Sequence, residues 1–367
     1  MAKKYRIGVV GHTGRGNFGH GLDQVWLSMP ECEIVGVADA DEKGLADAVK
    51  RLGSPQGFAD YRKMMDETKP DIVAIGPRWL DRHCEMTCEA ASRGIHIYQE
   101  KPLCRSLEEA DRMVAACEQH KIKFAIAHQT RYSPKLNVVR QMIAEGRIGD
   151  LMELRGRGKE DHRGGGEDLW VLGSHVMNLM HYFGGEPHWC FASVLMEHQR
   201  VGKAHVVEGN EGIGPLAGDS IAAMFGMDHA ATGYFASQRN ANGGRFGLQI
   251  FGSEGVIEIL TGHLPAVYYL PDAGWSPGRS GRSWVPVSSA GPGKPEPLKD
   301  GGLDGGNLLA CRDLIAAIEQ DRLPECNIFE ARMTIEMISA VFESHVVGGP
   351  VAIPLKNRTN PLVRLAD

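Results

Sequence analysis

The sequence predicts an α/β protein in two parts: a Rossmann-type parallel-sheet domain, then an α+β domain built on a large, mostly antiparallel sheet. Three observations carry this expectation. Short apolar runs alternate with amphipathic stretches through the first 130 residues, the pattern of strands joined by crossover helices. A Gly-rich loop follows directly on the first apolar run. Beyond Ser133-Pro134 the strands succeed one another through turns instead, as in an antiparallel sheet. A chain of 367 residues also exceeds one comfortable hydrophobic core, so two domains are expected, residues 1–128 and 129–367.

In the first part, Arg6–Val10, Glu33–Ala38, Asp71–Ile75 and His96–Tyr98 are brief and rich in β-branched residues, as strands covered on both faces are. Helical spacing marks Gly44–Leu52, Asp60–Thr68, Arg82–Arg93 and Leu107–His120, and Lys123–Ala127 reads as a closing strand. In the second part a helix runs from Ser133-Pro134 to about Glu145. Strands are expected near Leu151–Gly158, Cys190–Met196, Ser220–Met227, Thr232–Ser237, Gly247–Phe251 and Val256–Leu260. Residues 271–308, crowded with Gly, Pro and Ser, read as a long functional or mobile connection. Helices Asn307–Glu319 and Ile328–His345 finish the fold. A broad sheet face open to water is costly, so the second domain is expected to meet another copy in a homodimer or homotetramer.

Composition excludes several classes. With 43% hydrophobic and 23% charged residues the chain is ordinarily globular, and a net charge of -6 lacks the positive patch that nucleic acid or an anionic membrane selects. The opening MAKKYRIGVVG is too short for a signal peptide or membrane span, so a cytoplasmic location is expected. Eight scattered cysteines without a CxxC pair read as reduced thiols; Cys84 and Cys88, four apart on one helical face, read as packing. No GxSxG elbow, GxxxxGK[ST] loop or HExxH pair occurs, and no metal site is expected.

The loop Gly11-His12-Thr13-Gly14-Arg15-Gly16-Asn17-Phe18-Gly19 holds a GxGxxG match at Gly14, Gly16 and Gly19. A strand precedes it, a helix is expected to begin near Asn17 to Leu22, and Asp39 ends the next strand. Glycines let the backbone approach a pyrophosphate, and amides at a helix N-terminus bind its charge. Asp39 would accept hydrogen bonds from the adenosine ribose and repel a 2′-phosphate, favouring NAD over NADP, with Asp41 near enough to share or take over this role. Glu100-Lys101-Pro102 follows the fourth strand at its carboxyl end, where open parallel sheets place their ligands.

These motifs, with Ala38-Asp39-Ala40-Asp41, Ile75-Gly76-Pro77 and His83 beyond it, Arg131-Tyr132, the Gly164-Gly165-Gly166 to His175 stretch and Phe251-Gly252-Ser253-Glu254-Gly255, resemble the glucose–fructose oxidoreductase, inositol dehydrogenase and rhizopine-catabolism (Gfo/Idh/MocA) family along essentially the whole chain. The resemblance implies that Lys101 lies against the nicotinamide ribose and substrate hydroxyl, and that His175 exchanges the hydroxyl proton. Cofactor contacts are then expected from Gly11, Thr13, Gly14, Gly16, Asn17, Asp39, Gly76, Pro77, Arg78, His83, Glu100, Lys101 and Arg131. Such chemistry requires a base for the proton and a cation for charge growing on oxygen, and a histidine serves in either direction.

The family usually places aspartate four residues before this histidine and three after; here Val171 and Asn178 stand there. Asp168 is expected to compensate as a further catalytic group facing substrate, with Glu167 the other candidate. The density of charge from Lys159 to Asp168 suits a polyhydroxylated ligand, so Lys101, Arg131, Tyr132, His162, Arg163, Glu167, Asp168, His175 and Asn178 form the expected substrate set, with Arg131 and Tyr132 bordering the cleft. The expected activity is hydride transfer between NAD and a secondary hydroxyl of a sugar, glycoside or cyclitol. Two alternatives share the fold: a glycosidase or lyase that oxidises its sugar transiently on retained NAD, and a ligand-sensing protein without turnover.

Overall fold

The computed structural model describes residues 4–240 and 243–366, which form two compact units. Met1–Lys3, part of the opening run, lie outside the described residues. The first unit comprises the chain to Tyr132 together with Asn210–Gly214 and Leu303–Arg332; the second holds Ser133–Gly209, Pro215–Gly302 and Met333 onward. A single cut near residue 128 therefore omits two later segments that belong with the N-terminal part.

In the first unit, β1 (Tyr5–Val10), β2 (Cys32–Ala38), β3 (Gly57–Phe58), β4 (Ile72–Ile75), β5 (His96–Gln99) and β6 (Phe124–Ile126) form a parallel sheet in the order β3-β2-β1-β4-β5-β6. Helices α1 (Glu42–Leu52), α2 (Tyr61–Thr68), α3 (His83–Ser92) and α4 (Leu107–Gln119) connect them. Their starts are written locally: Asp41, Asp60 and Ser106 cap α1, α2 and α4 by accepting backbone N–H bonds in the first turn. Strands β1, β4 and β5 are buried almost throughout, which explains their unbroken apolar runs.

The helix expected after the Gly-rich loop is absent. Gly16, Asn17, Gly19 and Gly21 all have positive φ, incompatible with a right-handed helix, so this stretch is a run of turns ending in one 3-10 turn at Val25–Ser28.

The second unit is built on an 11-stranded sheet. Its order runs Gly291–Pro292, Val285–Ser288, Val267–Leu270, Val256–Leu260, Gly247–Gly252, β7 (Leu151–Arg157), Thr232–Gln238, Ser220–Gly226, Trp189–Met196, Val351–Ala352, with Gln199–Arg200 also on Trp189–Met196. Every pairing is antiparallel except β7 with Thr232–Gln238. Between β7 and Trp189–Met196 the chain forms α5 (Gly166–Val171) and α6 (Gly173–Gly184), the latter packed on β7.

Residues 271–308 are not a long structureless connection. They hold two strands and a short helix, Pro277–Ser280, before the helix Gly302–Glu319 begins. Asp272 accepts from Gly274 N, Ser276 N and Ser280 Oγ, and Trp275 packs on Phe251 while its Nε1 donates to Gly252 O. These side-chain ties stabilise a Gly- and Pro-rich edge that strand propensity alone does not mark. No helix among the described residues is long and apolar enough to cross a membrane.

Candidate active site

The order of the parallel sheet reverses between β1 and β4, so the loops after these strands diverge and leave a crevice at their carboxyl ends. The Gly-rich turn sits there. His12 and Asn17 exchange two backbone hydrogen bonds, 2.9 and 3.0 Å, closing a loop whose Gly14 N donates to Asn17 Oδ1. Gly16 lies so near Arg78 that a Cβ would stand 2.3 Å from the Arg78 amide nitrogen, and one on Gly19 would meet Glu100 Oε2 and Gly76 O at 2.5 Å. The glycines thus seat the turn on the loops after β4 and β5.

Asp39, buried at the end of β2, accepts from Thr13 N, from Thr13 Oγ1 at 2.7 Å and from Asp41 N. Its charge belongs to the rim of a cavity of about 140 Å³ lined by Gly11, His12, Tyr61, Arg62 and Arg82 among others. Asp41 instead caps α1 through Gly44 N. The negative Asp39 beside open space at a topological switch point fits the adenosine half of a dinucleotide.

At the end of β5, Glu100 is fully buried and accepts from His20 N at 3.0 Å, His20 Nδ1 at 2.9 Å and Lys101 N at 3.0 Å. Burial alone would push its carboxyl up, but the His20 bond and charge, with Lys101, bring it down to about 2. Glu100 is therefore an anion that fixes the backbone of buried Lys101 to the Gly-rich turn. His128, after β6, is also buried beside Lys101; desolvation first, then the charges of Lys101 and Arg131, lower its pKa to about 3, so it stays neutral.

Two residues far along the chain complete this end of the sheet, and nothing in the sequence marks them. Asn307, fully buried on Gly302–Glu319, accepts from Tyr98 OH at 2.7 Å and Gln129 Nε2 at 3.1 Å and donates to His20 O at 2.8 Å. Glu211, from the Asn210–Gly214 segment, pairs with Arg78 at 3.5 Å.

Several expected ligand contacts are spent on internal structure. The ring nitrogens of fully buried His83 lie 2.7 Å from Pro77 O and 3.0 Å from Pro102 O, so the side chain braces the loops after β4 and β5 instead of facing a cofactor. Arg131 donates to Glu325 O at 2.8 Å, and the Tyr132 hydroxyl bonds Ile126 O and Cys326 O.

In the second unit the Gly164-Gly165-Gly166 run packs on backbone: a Cβ on Gly164 would stand 2.3 Å from Arg239 N, and one on Gly165 2.4 Å from Gly218 O. This contact delivers Asp168 inward. It is fully buried and accepts from Ser237 Oγ at 2.5 Å, Glu160 N at 3.1 Å and Lys159 N at 3.3 Å. Burial raises its pKa, and these donors oppose the shift. Asn178 is likewise buried and donates to Thr334 Oγ1. Arg163 grips Asp161 through two bonds, His162 is exposed and Glu167 half-buried. His175, in the first turn of α6, is half-buried with its ring edge-on to Phe246 at 5.9 Å.

Residues 5–128 match the oxidoreductase family model with NAD-binding Rossmann fold, and residues 136–258 match the C-terminal domain of the same family. The chain belongs to the Gfo/Idh/MocA family. Its parallel-sheet unit carries that family's NAD-binding fold, and the family is the one that the sequence motifs resembled.

Among relatives, glycosyl hydrolase family 109 protein 1 of Akkermansia muciniphila is 33% identical over 180 residues, 44% of this chain and 37% of that protein. Levoglucosan dehydrogenase of Pseudarthrobacter phenanthrenivorans is 27% identical over 252 residues, 60% of this chain and 63% of that protein. The matches thus span less than two-thirds of either relative's length. A solved structure of levoglucosan dehydrogenase with NADH and levoglucosan shares the fold, with a TM-score of 0.78 over 96% of this chain and 100% of that chain at 22% identity.

Proposed function

We propose that this Gfo/Idh/MocA protein is an NAD-dependent dehydrogenase acting on a secondary hydroxyl of a sugar, glycoside or cyclitol. The observation that carries the reading is buried Lys101, held by anionic Glu100 on the same sheet edge as the Gly-rich turn and Asp39. The turn, Asp39, the Gly76–Arg78 loop and Glu100 would hold the dinucleotide, whose nicotinamide supplies the hydride acceptor when bound. Lys101 stabilises negative charge on the substrate oxygen, and His175 takes the hydroxyl proton. Asp168 and Asn178 act as structural supports, leaving His162, Arg163 and Glu167 to meet sugar hydroxyls.

A screen of monosaccharides, glycosides and inositols for NADH formation tests this. Lys101→Met and His175→Asn should each lower kcat/KM roughly 10²–10⁴-fold while NADH still quenches protein fluorescence. Full turnover in both variants would refute the assignment. A second reading, net glycoside cleavage on retained NAD, is favoured by the glycosyl hydrolase name of the Akkermansia relative; it requires glycoside hydrolysis without accumulation of NADH.

The second unit's sheet also presents an open face bearing Phe191, Tyr234, Leu260 and Tyr268, each more than a third exposed. A second copy covering this face would bury these four side chains. Light scattering that returns a monomer at micromolar concentration would remove this part of the proposal.

A further inference from the structure

The cavity at the ends of β1 and β2 carries a charge arrangement that the role of Asp39 does not absorb. Arg62 and Arg82 both line it, alongside Asp39 and Asp60. Their guanidinium groups lie over the Tyr61 ring, 4.7 and 5.6 Å from its centroid. A fork of this kind, beside a ribose site, is the arrangement that would grip a 2′-phosphate.

Neither fork is available for that purpose, because one carboxylate collects both. Glu85, in the first turn of α3, pairs with Arg62 Nη2 and accepts from Arg82 Nε at 3.2 Å and Arg82 Nη2 at 3.3 Å, while the Tyr61 hydroxyl donates to it at 3.0 Å. Glu89 takes the Nε of Arg62 at 3.2 Å, and Asp60 stands 3.8 Å from its Nη1. The two guanidinium groups that line the cavity are therefore engaged by Glu85 and Glu89 behind it and by Asp60 at its wall.

We propose that Glu85 is a specificity-determining residue for the cofactor: by engaging Arg62 and Arg82 it keeps the cavity anionic and excludes the 2′-phosphate of NADP. Asp39 repels that phosphate from the ribose side, and Glu85 withholds the cations that would compensate. Asp39 lines the cavity and Glu85 acts from behind it through Arg62 and Arg82, so Asp39 alone does not set the preference. Neutralising Glu85 releases the Arg82 fork and one nitrogen of Arg62 toward a group of about two negative charges.

This inference rests on the NAD reading of the site but not on any sugar turnover, so the test uses nucleotide binding alone. NADH and NADPH are titrated against the full chain by fluorescence. Wild-type protein should bind NADH the more tightly. Glu85→Gln should tighten NADPH about tenfold, the effect of removing one charge at short range in a partly solvated site, while NADH stays within twofold. Adding Arg82→Gln to that variant should abolish the gain. Glu89→Gln, which removes the same charge from Arg62 and Arg93 without touching Arg82, should give less than a third of it.

An unchanged NADPH to NADH ratio in Glu85→Gln, or an equal gain in Glu89→Gln, overturns the proposal. Glu85→Ala serves as the second neutral variant if melting shows that Glu85→Gln does not fold. Failure of wild-type protein to bind either nucleotide would refute the NAD reading itself, whereas tight NADH binding without a sugar substrate would leave that reading and this test intact.

Discussion

The carboxyl edge of the parallel sheet and the Lys159–Asp168 stretch of the second unit are equally rich in charge, yet they are built on opposite plans. At the sheet edge, Glu100, Asn307, His83 and Tyr98 are fully buried, and each spends its polar atoms on a neighbouring segment. Among the charged side chains of the other stretch only Glu160 and Asp168 are buried; Asp161, Arg163 and Glu167 are half-buried and His162 is exposed. Buried and satisfied polar networks fix geometry because any displacement strands a desolvated group, whereas surface pairs hold loosely and are screened by water. The first plan suits a cofactor of constant shape, and under the proposed function the second would meet the substrate.

The comparison breaks if the buried network tolerates deletion. Asn307→Ala strands Tyr98 OH, Gln129 Nε2 and His20 O at once, and should lower unfolding stability by about 3 kcal/mol, read as a drop in the urea midpoint. The same variant should weaken NADH binding, because His20 holds Glu100. Asn307→Asp, which keeps both acceptor contacts, should recover part of the loss.

Acid acts with opposite sign on the buried groups of the two regions. His128 has its pKa lowered to about 3 against an ordinary 6.5, so the unfolded chain binds a proton that the native state refuses. Its contribution is complete above pH 6.5 and is lost as pH falls from there toward 3. Glu100, lowered to about 2, adds a loss below its ordinary value of 4.5. Asp168 is raised, so it contributes at low pH and loses that contribution as pH rises through its native value. His128→Gln should flatten the acid limb of a stability-versus-pH curve by a few kcal/mol, since each tenfold difference in proton affinity between the folded and unfolded chain is worth about 1.4 kcal/mol; an unchanged limb would place the acid sensitivity elsewhere.

The smallest effect belongs to the exposed loop. His162→Ala should shift stability by less than about 0.5 kcal/mol, with any consequence confined to KM for the sugar. A large loss of melting temperature would show that the loop is as rigid as the sheet edge.

Element positions follow from local chemistry where period and cap coincide, as at Asp60 before Tyr61–Thr68 and Ser106 before Leu107–Gln119. The run after the Gly-rich loop misleads because the helix expected to begin near Asn17 to Leu22 is overridden by left-handed backbone at Gly16, Asn17, Gly19 and Gly21. Residues 271–308 mislead in the other direction, since Asp272 and Trp275 order a stretch whose composition reads as loop.

Motif order determined the family, the parallel sheet and the candidates Lys101, Asp39 and His175, because strand ends, Gly-rich turns and their flanking charges lie close together along the chain. Only tertiary structure decided that Asp168, Asn178, His83, Arg131 and Tyr132 turn toward internal partners. It also brought in Asn307 and Glu211 from far downstream, and set Glu85 against two arginines. The physical reason is that a polar side chain takes whichever partner desolvation leaves within reach, and that partner is chosen by packing between segments whose separation in sequence carries no signal.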